Sequence, residues 1–315
     1  MARVGLVGDI GGTNARFALV ELDAPGRPVT RVVSRPAADH PTASEAIAAY
    51  LTGQGGARPV AAVIAVAGPV TDGFIDLTNS SWTLSEAGLV EAGLGRARLI
   101  NDYAALALAI GRLGEADLRR IGPEGSPDPQ GTLAILGPGT GFGVSALARD
   151  GRGGEAALAT EGGHVGLAPG DATELEILRD LTERYGRVSV ERVLSGPGLE
   201  DLHRCLHGEE LDAPAITRSA LAGDTEALAT VDRFCALLGS VAGDFALAYG
   251  ATGGVYVAGG IAPRILAVLE RSPFRERFEA KGRFRDYMAA IPTHVVVHSH
   301  PALLGAARAL EELVR

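Results

Sequence analysis

Apolar positions early in the chain follow a two-residue rhythm that predicts extended strands. Residues 4–7 form an apolar run, residues 8–14 a polar loop, and Phe17, Leu19 and Leu22 mark a second strand, with residues 29–34 as a third. Thr42 then opens a helix that passes through Ile47 and Leu51 and closes at Gly53. Residues 60–67 are continuously apolar, the pattern of a strand buried on both faces. Arg98-Leu99-Ile100 leads directly into Asn101-Asp102, after which Leu106, Ile110 and Leu113 recur at helical spacing. Asp102 therefore falls at a strand-to-helix junction.

Residues 115–130 are rich in Gly, Pro and charge, lack either periodicity, and are the best boundary in the chain. Beyond them the pattern restarts with an apolar run at 133–136, a glycine loop at 137–143 and a strand at 144–147. Asp171 with Glu174 reads as a capping box for a helix ending at Gly186. Asp224 caps a long helix with the stripe Leu228, Val231, Cys235, Leu238, Ala242, Phe245 and Tyr249. Residues 255–258 and 295–297 are strands, and Pro263 and Pro301 each start a helix. Residues 3–20 and 132–147 both read strand, glycine turn with threonine, strand, which a duplicated α/β core would explain.

Composition narrows the chemistry. Of 29 basic residues only Lys281 is a lysine, in a segment that matches neither G-x-x-x-x-G-K-[ST] nor V-A-I-K. Glycine accounts for 43 of 315 residues, well above an average of about 7%. The glycines cluster beside apolar runs, as tight turns brought close to a ligand do. A net charge of −9 without a basic run argues against nucleic acid. Two cysteines, Cys205 and Cys235, are too few for a disulfide framework. No signal peptide is expected at either end, and the uncharged stretch 245–263 carries too many glycines for a membrane helix. The expectation is a cytoplasmic protein that binds no membrane.

Neither glycine loop has the spacing or the following helix of a dinucleotide fingerprint. A glycine hairpin can still hold phosphate through converging backbone N–H groups. Thr13 and Thr140 would add hydroxyls, and Asp9 makes sense if a metal accompanies the anion. For Asp102 an ordinary helix N-cap is the competing explanation. In Glu161-Gly162-Gly163-His164 the glycines allow a tight turn, so that a carboxylate and an imidazole can face one small polar ligand. His203, Cys205 and His207, and likewise His294, His298 and His300, give no metal site; the latter three are expected to flank a strand and end at a surface turn.

These segments together resemble the bacterial glucokinases of the sugar-kinase/actin/chaperone superfamily. The resemblance is carried by Gly8-Asp9-Ile10-Gly11-Gly12-Thr13-Asn14-Ala15-Arg16, Asn101-Asp102, Gly137-Pro138-Gly139-Thr140-Gly141, Glu161-Gly162-Gly163-His164, the segment 191–198 from Glu191 onward, and the segment 253–260 ending in Gly259-Gly260. It implies an α/β, two-domain actin-like ATPase (ribonuclease H-like) fold with an interdomain cleft. Residues 1–112 plus 301–315 would form a small α/β domain and 113–300 a large α+β domain.

The resemblance also implies roles. Asp102 would be the general base, and Asn101, Asp102, Glu161, His164 and Glu191 would bind sugar. Gly8, Asp9, Ile10, Gly11, Gly12, Thr13, Gly139, Thr140 and Gly141 would hold the phosphates of ATP, and Gly259 and Gly260 would border the adenosine. Mg2+ would meet Asp9 through water, and a homodimer is suggested. A cysteine-rich zinc motif that follows Glu-x-x-His in the related repressor/kinase family is missing here, so the zinc-free branch is expected and His164 needs another partner.

Phosphoryl transfer to a hydroxyl depends on positioning and charge neutralisation. An aspartate of ordinary pKa, about 3.9, can orient the hydroxyl and accept its proton as the bond to phosphorus forms. The expected reaction is ATP-dependent phosphorylation of glucose to glucose 6-phosphate. The alternatives are a kinase for another hexose or an amino sugar and a sugar-sensing regulator on the same scaffold. Only seven residues precede Gly8, which argues against an N-terminal DNA-binding helix pair.

Overall fold

Two antiparallel pairings start the first sheet. In the computed structural model, which describes residues 3–77 and 81–315, β1 (Val4–Ile10) turns back on β2 (Asn14–Glu21), and β2 on β3 (Val29–Pro36). β4 (Ala62–Val66) joins the other side of β1 in parallel. A small hairpin, β5 (Phe74–Asp76) with β6 (Thr83–Ser85), precedes β7 (Ala97–Asn101), which lies parallel to β4. The sheet order is β3-β2-β1-β4-β7, and every residue of β4 is buried. That burial explains why the strand is written as an unbroken apolar run.

Backbone packing divides the chain into two compact units, Met1–Leu113 with His298–Arg315, and Gly114–Val297. In the first, Thr42 caps the helix Ala43–Gly53 by accepting the Glu45 N–H. The helix Asp102–Ala109, rich in buried alanine, packs against the last helix, Pro301–Leu313. Their approach is close: a Cβ on Gly305 would stand 1.7 Å from the Ala105 carbonyl oxygen. The end of the chain thus supports the helix that begins at Asp102.

The second unit repeats the plan. β8 (Leu118–Ile121), β9 (Leu133–Pro138), β10 (Phe142–Arg149), β11 (Glu155–Thr160), β12 (Gly254–Val257) and β13 (Thr293–Val296) pair in the order β11-β10-β9-β12-β13-β8. β9, β10 and β11 are antiparallel neighbours, and β12 and β13 continue in parallel from β9. These relations match those of β1, β2, β3, β4 and β7, so the echo between the two glycine hairpins reflects a duplicated sheet. The helix Thr225–Tyr249, capped by Asp224 and ended by Gly250 at φ 59, lies in the core of this unit with Phe234, Leu238, Phe274 and Phe278.

Three expectations change. The stretch 115–130 holds a strand, β8, an edge strand that reads Leu-Arg-Arg-Ile and so shows no two-residue alternation. Pro263 lies in a turn, and the helix there is Leu266–Leu269. Asp171 caps Ala172–Tyr185 by accepting the Glu174 N–H, but the Glu174 side chain turns to the Gly170 N–H instead of completing the box. No helix among the described residues is long and apolar enough to cross a membrane. The glycine-rich stretch 245–263 divides into a helix end, a turn and β12.

Candidate active site

In the first unit β1, β4 and β7 run parallel, so their carboxyl ends share one edge of the sheet. Ile10 pairs with Val66, and Val66 with Asn101. Strands are spaced by about 4.8 Å, which puts the first glycine turn and Asn101-Asp102 roughly 10 Å apart. Open α/β sheets bind ligands at this edge.

The run from Gly8 to Thr13 splits into two parts. Gly8, Asp9 and Ile10 belong to β1, where Gly8 and Ile10 are buried; a Cβ on Gly8 would come within 2.8 Å of the Ile64 side chain. Gly8 is small because the core needs it small. Gly11, Gly12 and Thr13 form the turn itself, closed by a Gly11 N–H bond to the Asn14 carbonyl at 3.0 Å. The backbone open to a ligand is therefore this three-residue piece. Asp9 is ion-paired with Arg16 across the hairpin, Nη1 to Oδ2 at 2.8 Å. Arg16 ends the first glycine motif without an expected role, and counting outward from the turn pairs it with Asp9. His300, expected at a surface turn, lies within electrostatic reach of this pair. Burial first, then Arg16 and His298, hold its imidazole below the ordinary range, with Asp9 opposing.

The N-cap of the helix Asp102–Ala109 is Asn101. Its Oδ1 accepts the Ala104 N–H at 3.1 Å, and its Nδ2 donates to the Gly68 carbonyl at 3.2 Å. Asn101 is 8% exposed, and this geometry leaves one Nδ2 hydrogen for a ligand. Asp102 is the first helical residue, half-buried, and its Oδ1 accepts the Tyr103 N–H at 2.9 Å. The capping explanation for Asp102 is thereby removed.

In the second unit the turn Gly139-Thr140-Gly141 is closed by a Gly139 N–H bond to the Gly141 carbonyl at 2.8 Å, and Thr140 is exposed. The neighbouring strand end brings Gly259 against it. At φ 86, a Cβ on Gly259 would stand 2.4 Å from the Pro138 carbonyl oxygen. Gly139, Thr140, Gly141, Gly259 and Gly260 thus form one surface of closely packed backbone. Glu191 Oε2 accepts the Phe142 N–H at 2.8 Å, and a Cβ on Gly141 would sit 2.4 Å from that oxygen. The glycine leaves room for the carboxylate.

Glu191 also approaches His164. The imidazole lies between two carboxylates, with Nε2 3.9 Å from Glu161 Oε2 and Nδ1 4.0 Å from Glu191 Oε1. The three side chains are 55%, 58% and 34% exposed for Glu161, His164 and Glu191. They are therefore placed to exchange hydrogen bonds with a solvent-borne polyol. The two carboxylates flank His164 beyond hydrogen-bond distance, and the Arg187 guanidinium holds its backbone by donating to the His164 carbonyl at 2.7 Å.

The other polar candidates have structural partners. His203 Nδ1 and His207 Nε2 both meet Thr230 Oγ1, at 2.9 and 3.2 Å, an i, i+4 pair on one helix face. His294 stacks on Tyr256 with ring centroids 5.3 Å apart. Burial pushes both cysteine thiols up to about 12, which makes them poor nucleophiles at neutral pH. Lys281 donates to the Ser240 carbonyl and to Asp244 Oδ1, at 2.8 and 2.6 Å, fastening its loop to the long helix. Among the described residues no group of three or more His, Cys, Asp or Glu could hold a metal.

The sequence matches the Glucokinase family over residues 6–313. It is 56% identical to a glucokinase of Caulobacter vibrioides, over 98% of this chain and 95% of that protein. It is 46% identical to a glucokinase of Aromatoleum aromaticum, over 97% and 94%. The structure is similar to the crystal structure of a glucokinase from an Antarctic psychrotroph, with a TM-score of 0.88 and 37% identity, covering 99% of this chain and all of the other.

Proposed function

The chain belongs to the glucokinase family and has its two-domain actin-like ATPase (ribonuclease H-like) fold, and from that premise we propose that it transfers the γ-phosphoryl group of ATP to the 6-hydroxyl of glucose. The observation that carries the substrate side of this reading is the placement of Glu161 and Glu191 on either side of His164, each within 4.0 Å of its ring. An ATPase that binds no sugar gives that grouping no task. Ionised carboxylates accept from adjacent hydroxyls, and an epimer would leave one of them unpaired, which is how such a site discriminates.

Asp102 orients the 6-hydroxyl and accepts its proton as the oxygen–phosphorus bond forms; the bond from the γ-phosphorus to the bridging oxygen breaks, and ADP leaves. Asn101 holds the start of the Asp102 helix and offers its remaining Nδ2 hydrogen to the sugar. Backbone N–H groups of Gly11, Gly12, Thr13, Gly139, Thr140 and Gly141 would receive the phosphates, and Gly259 and Gly260 would border the adenosine. These residues suit an anion with no lysine available.

Mg2+ usually keeps several waters and takes one or two carboxylates beside substrate phosphates. Asp9 matches that role through water, because Arg16 already occupies its Oδ2. When bound, the ion would neutralise phosphate charge.

The test is ADP release over a panel of hexoses and amino sugars with Mg-ATP. Glucose is expected to give the highest kcat/KM. A higher value with mannose or glucosamine would move the assignment to that sugar, and no turnover with any sugar would overturn the kinase reading.

A further inference from the structure

We propose that the ion cluster of Asp171, Glu174, Arg233 and Arg277 is the positioning device for His164, fixing the far end of the segment that carries the imidazole. The proposal rests on the reading of His164 as a ligand of the sugar hydroxyls. His164 is 58% exposed, and in the segment 165–170 only Leu167 is buried. Apolar packing therefore cannot fix the ring, and hydrogen bonds must do so.

The near end of the segment is laced to the chain just before Glu191. Arg187 donates to the His164 carbonyl, the Leu167 N–H to the Val188 carbonyl, and the Val190 N–H to the Val165 carbonyl. Among the described residues, the far end is held through the Gly170 N–H, which donates to Glu174 Oε2 at 2.7 Å. The side chain of Glu174 is 0% exposed, and its other bonds go to Arg277 Nη2 at 2.8 Å and Arg233 Nη1 at 3.0 Å. Both arginines also pair with Asp171, Arg277 at 3.5 Å. Arg233 stands on the long helix Thr225–Tyr249 and Arg277 on the helix Phe274–Glu279. Two carboxylates and two guanidiniums thus balance in charge and anchor the segment to two core helices.

Two details favour positioning over plain stability. The buried carboxylate of Glu174 with its two guanidiniums is weak evidence for stability, because desolvation offsets the attraction, and fixing one geometry is the better-attested use of such pairs. Glu174 also forgoes its own helix cap, the Asp171 N–H, to reach Gly170 outside the helix. Gly170 is needed for this arrangement, since a Cβ there would stand 2.2 Å from Arg277 Nη2. A sugar ligand must be held to within about 0.5 Å, which a loop tied at one end only would not achieve.

Gly170→Ala is the discriminating variant. Its added methyl meets the tip of a flexible arginine, so the guanidinium moves and the fold stays. Arg277→Met removes the same contact from the other side, and Arg277→Lys is the conservative rescue. For Gly170→Ala and Arg277→Met the glucose KM is expected to rise roughly tenfold with kcat unchanged, because only ligand placement is lost. Arg277→Lys should recover part of that loss, and amide exchange at residues 165–170 should quicken in the two affected variants. A purely structural cluster would lower the melting temperature and leave the glucose KM as it was; that result in Gly170→Ala overturns the proposal. His164→Ala separates the two readings. If it leaves the glucose KM unchanged, the sugar-ligand reading fails and the proposal with it. If it raises the KM while Gly170→Ala does not, only the positioning proposal fails.

Discussion

Asp102→Asn is expected to lower kcat by roughly a thousandfold, about 4 kcal/mol of transition-state stabilisation, while glucose still binds. The substitution keeps the shape of the side chain and its acceptor for the Tyr103 N–H, so the helix start that Asn101 caps should stand unchanged. What it removes is an oxygen able to take the proton of the attacking hydroxyl. Steady-state kinetics beside calorimetric titration of glucose reads the two effects separately. A variant with near-normal kcat would show that the proton goes elsewhere. Loss of glucose binding with kcat intact at saturation would recast Asp102 as a sugar ligand only.

Glu191→Ala should cost comparably, by a different route. Its carboxylate holds the start of β10 through the Phe142 N–H and stands 4.0 Å from His164. Deletion should therefore raise the glucose KM and disturb the Gly139–Gly141 turn, with kcat/KM falling by about a thousandfold, or about 4 kcal/mol. Glu191→Gln retains an acceptor for Phe142 and should lose less, mainly in glucose KM. Equal losses in the two variants would mean that the charge, and not the loop bond, carries the effect. Wild-type kinetics in Glu191→Ala would remove Glu191 from the site altogether.

Much of this fold is legible in the sequence where local rules decide the outcome. The hairpins, the wholly buried β4, the long helix with its Asp224 cap and the strand-to-helix junction at Asp102 follow from periodicity and capping alone. The duplication is visible too, because each half must build the same glycine turn, between β1 and β2 in one and between β9 and β10 in the other. What escaped depends on partners remote in sequence. β8 is a strand only because β13 pairs with it, and its two adjacent arginines hide the alternation. Glu174 looks like a capping-box residue until Arg233 and Arg277, 59 and 103 residues away, claim its carboxylate. Lys281 shows no purpose in sequence, because Ser240 and Asp244 lie on the long helix, 41 and 37 residues away.

The glycine excess suggests room for a ligand. At several positions the structure gives it a different cause: Gly8 makes space for Ile64, Gly141 for Glu191, Gly170 for Arg277 and Gly305 for the backbone at Ala105. The candidate site was legible as separate pieces, and Glu161 with His164 could be paired from spacing. The approach of Glu191 to His164 could not, because the contact depends on how the 191 segment folds back on the Phe142 turn.

The most direct measurement is the identity of the product. Equimolar ATP and glucose with catalytic enzyme and Mg2+ are followed by phosphorus NMR until the γ-phosphate signal is gone. The account predicts ADP and a phosphomonoester on the 6-carbon of glucose in equal amounts, with little inorganic phosphate. Inorganic phosphate as the main product, or phosphate on the 1-carbon, would contradict it.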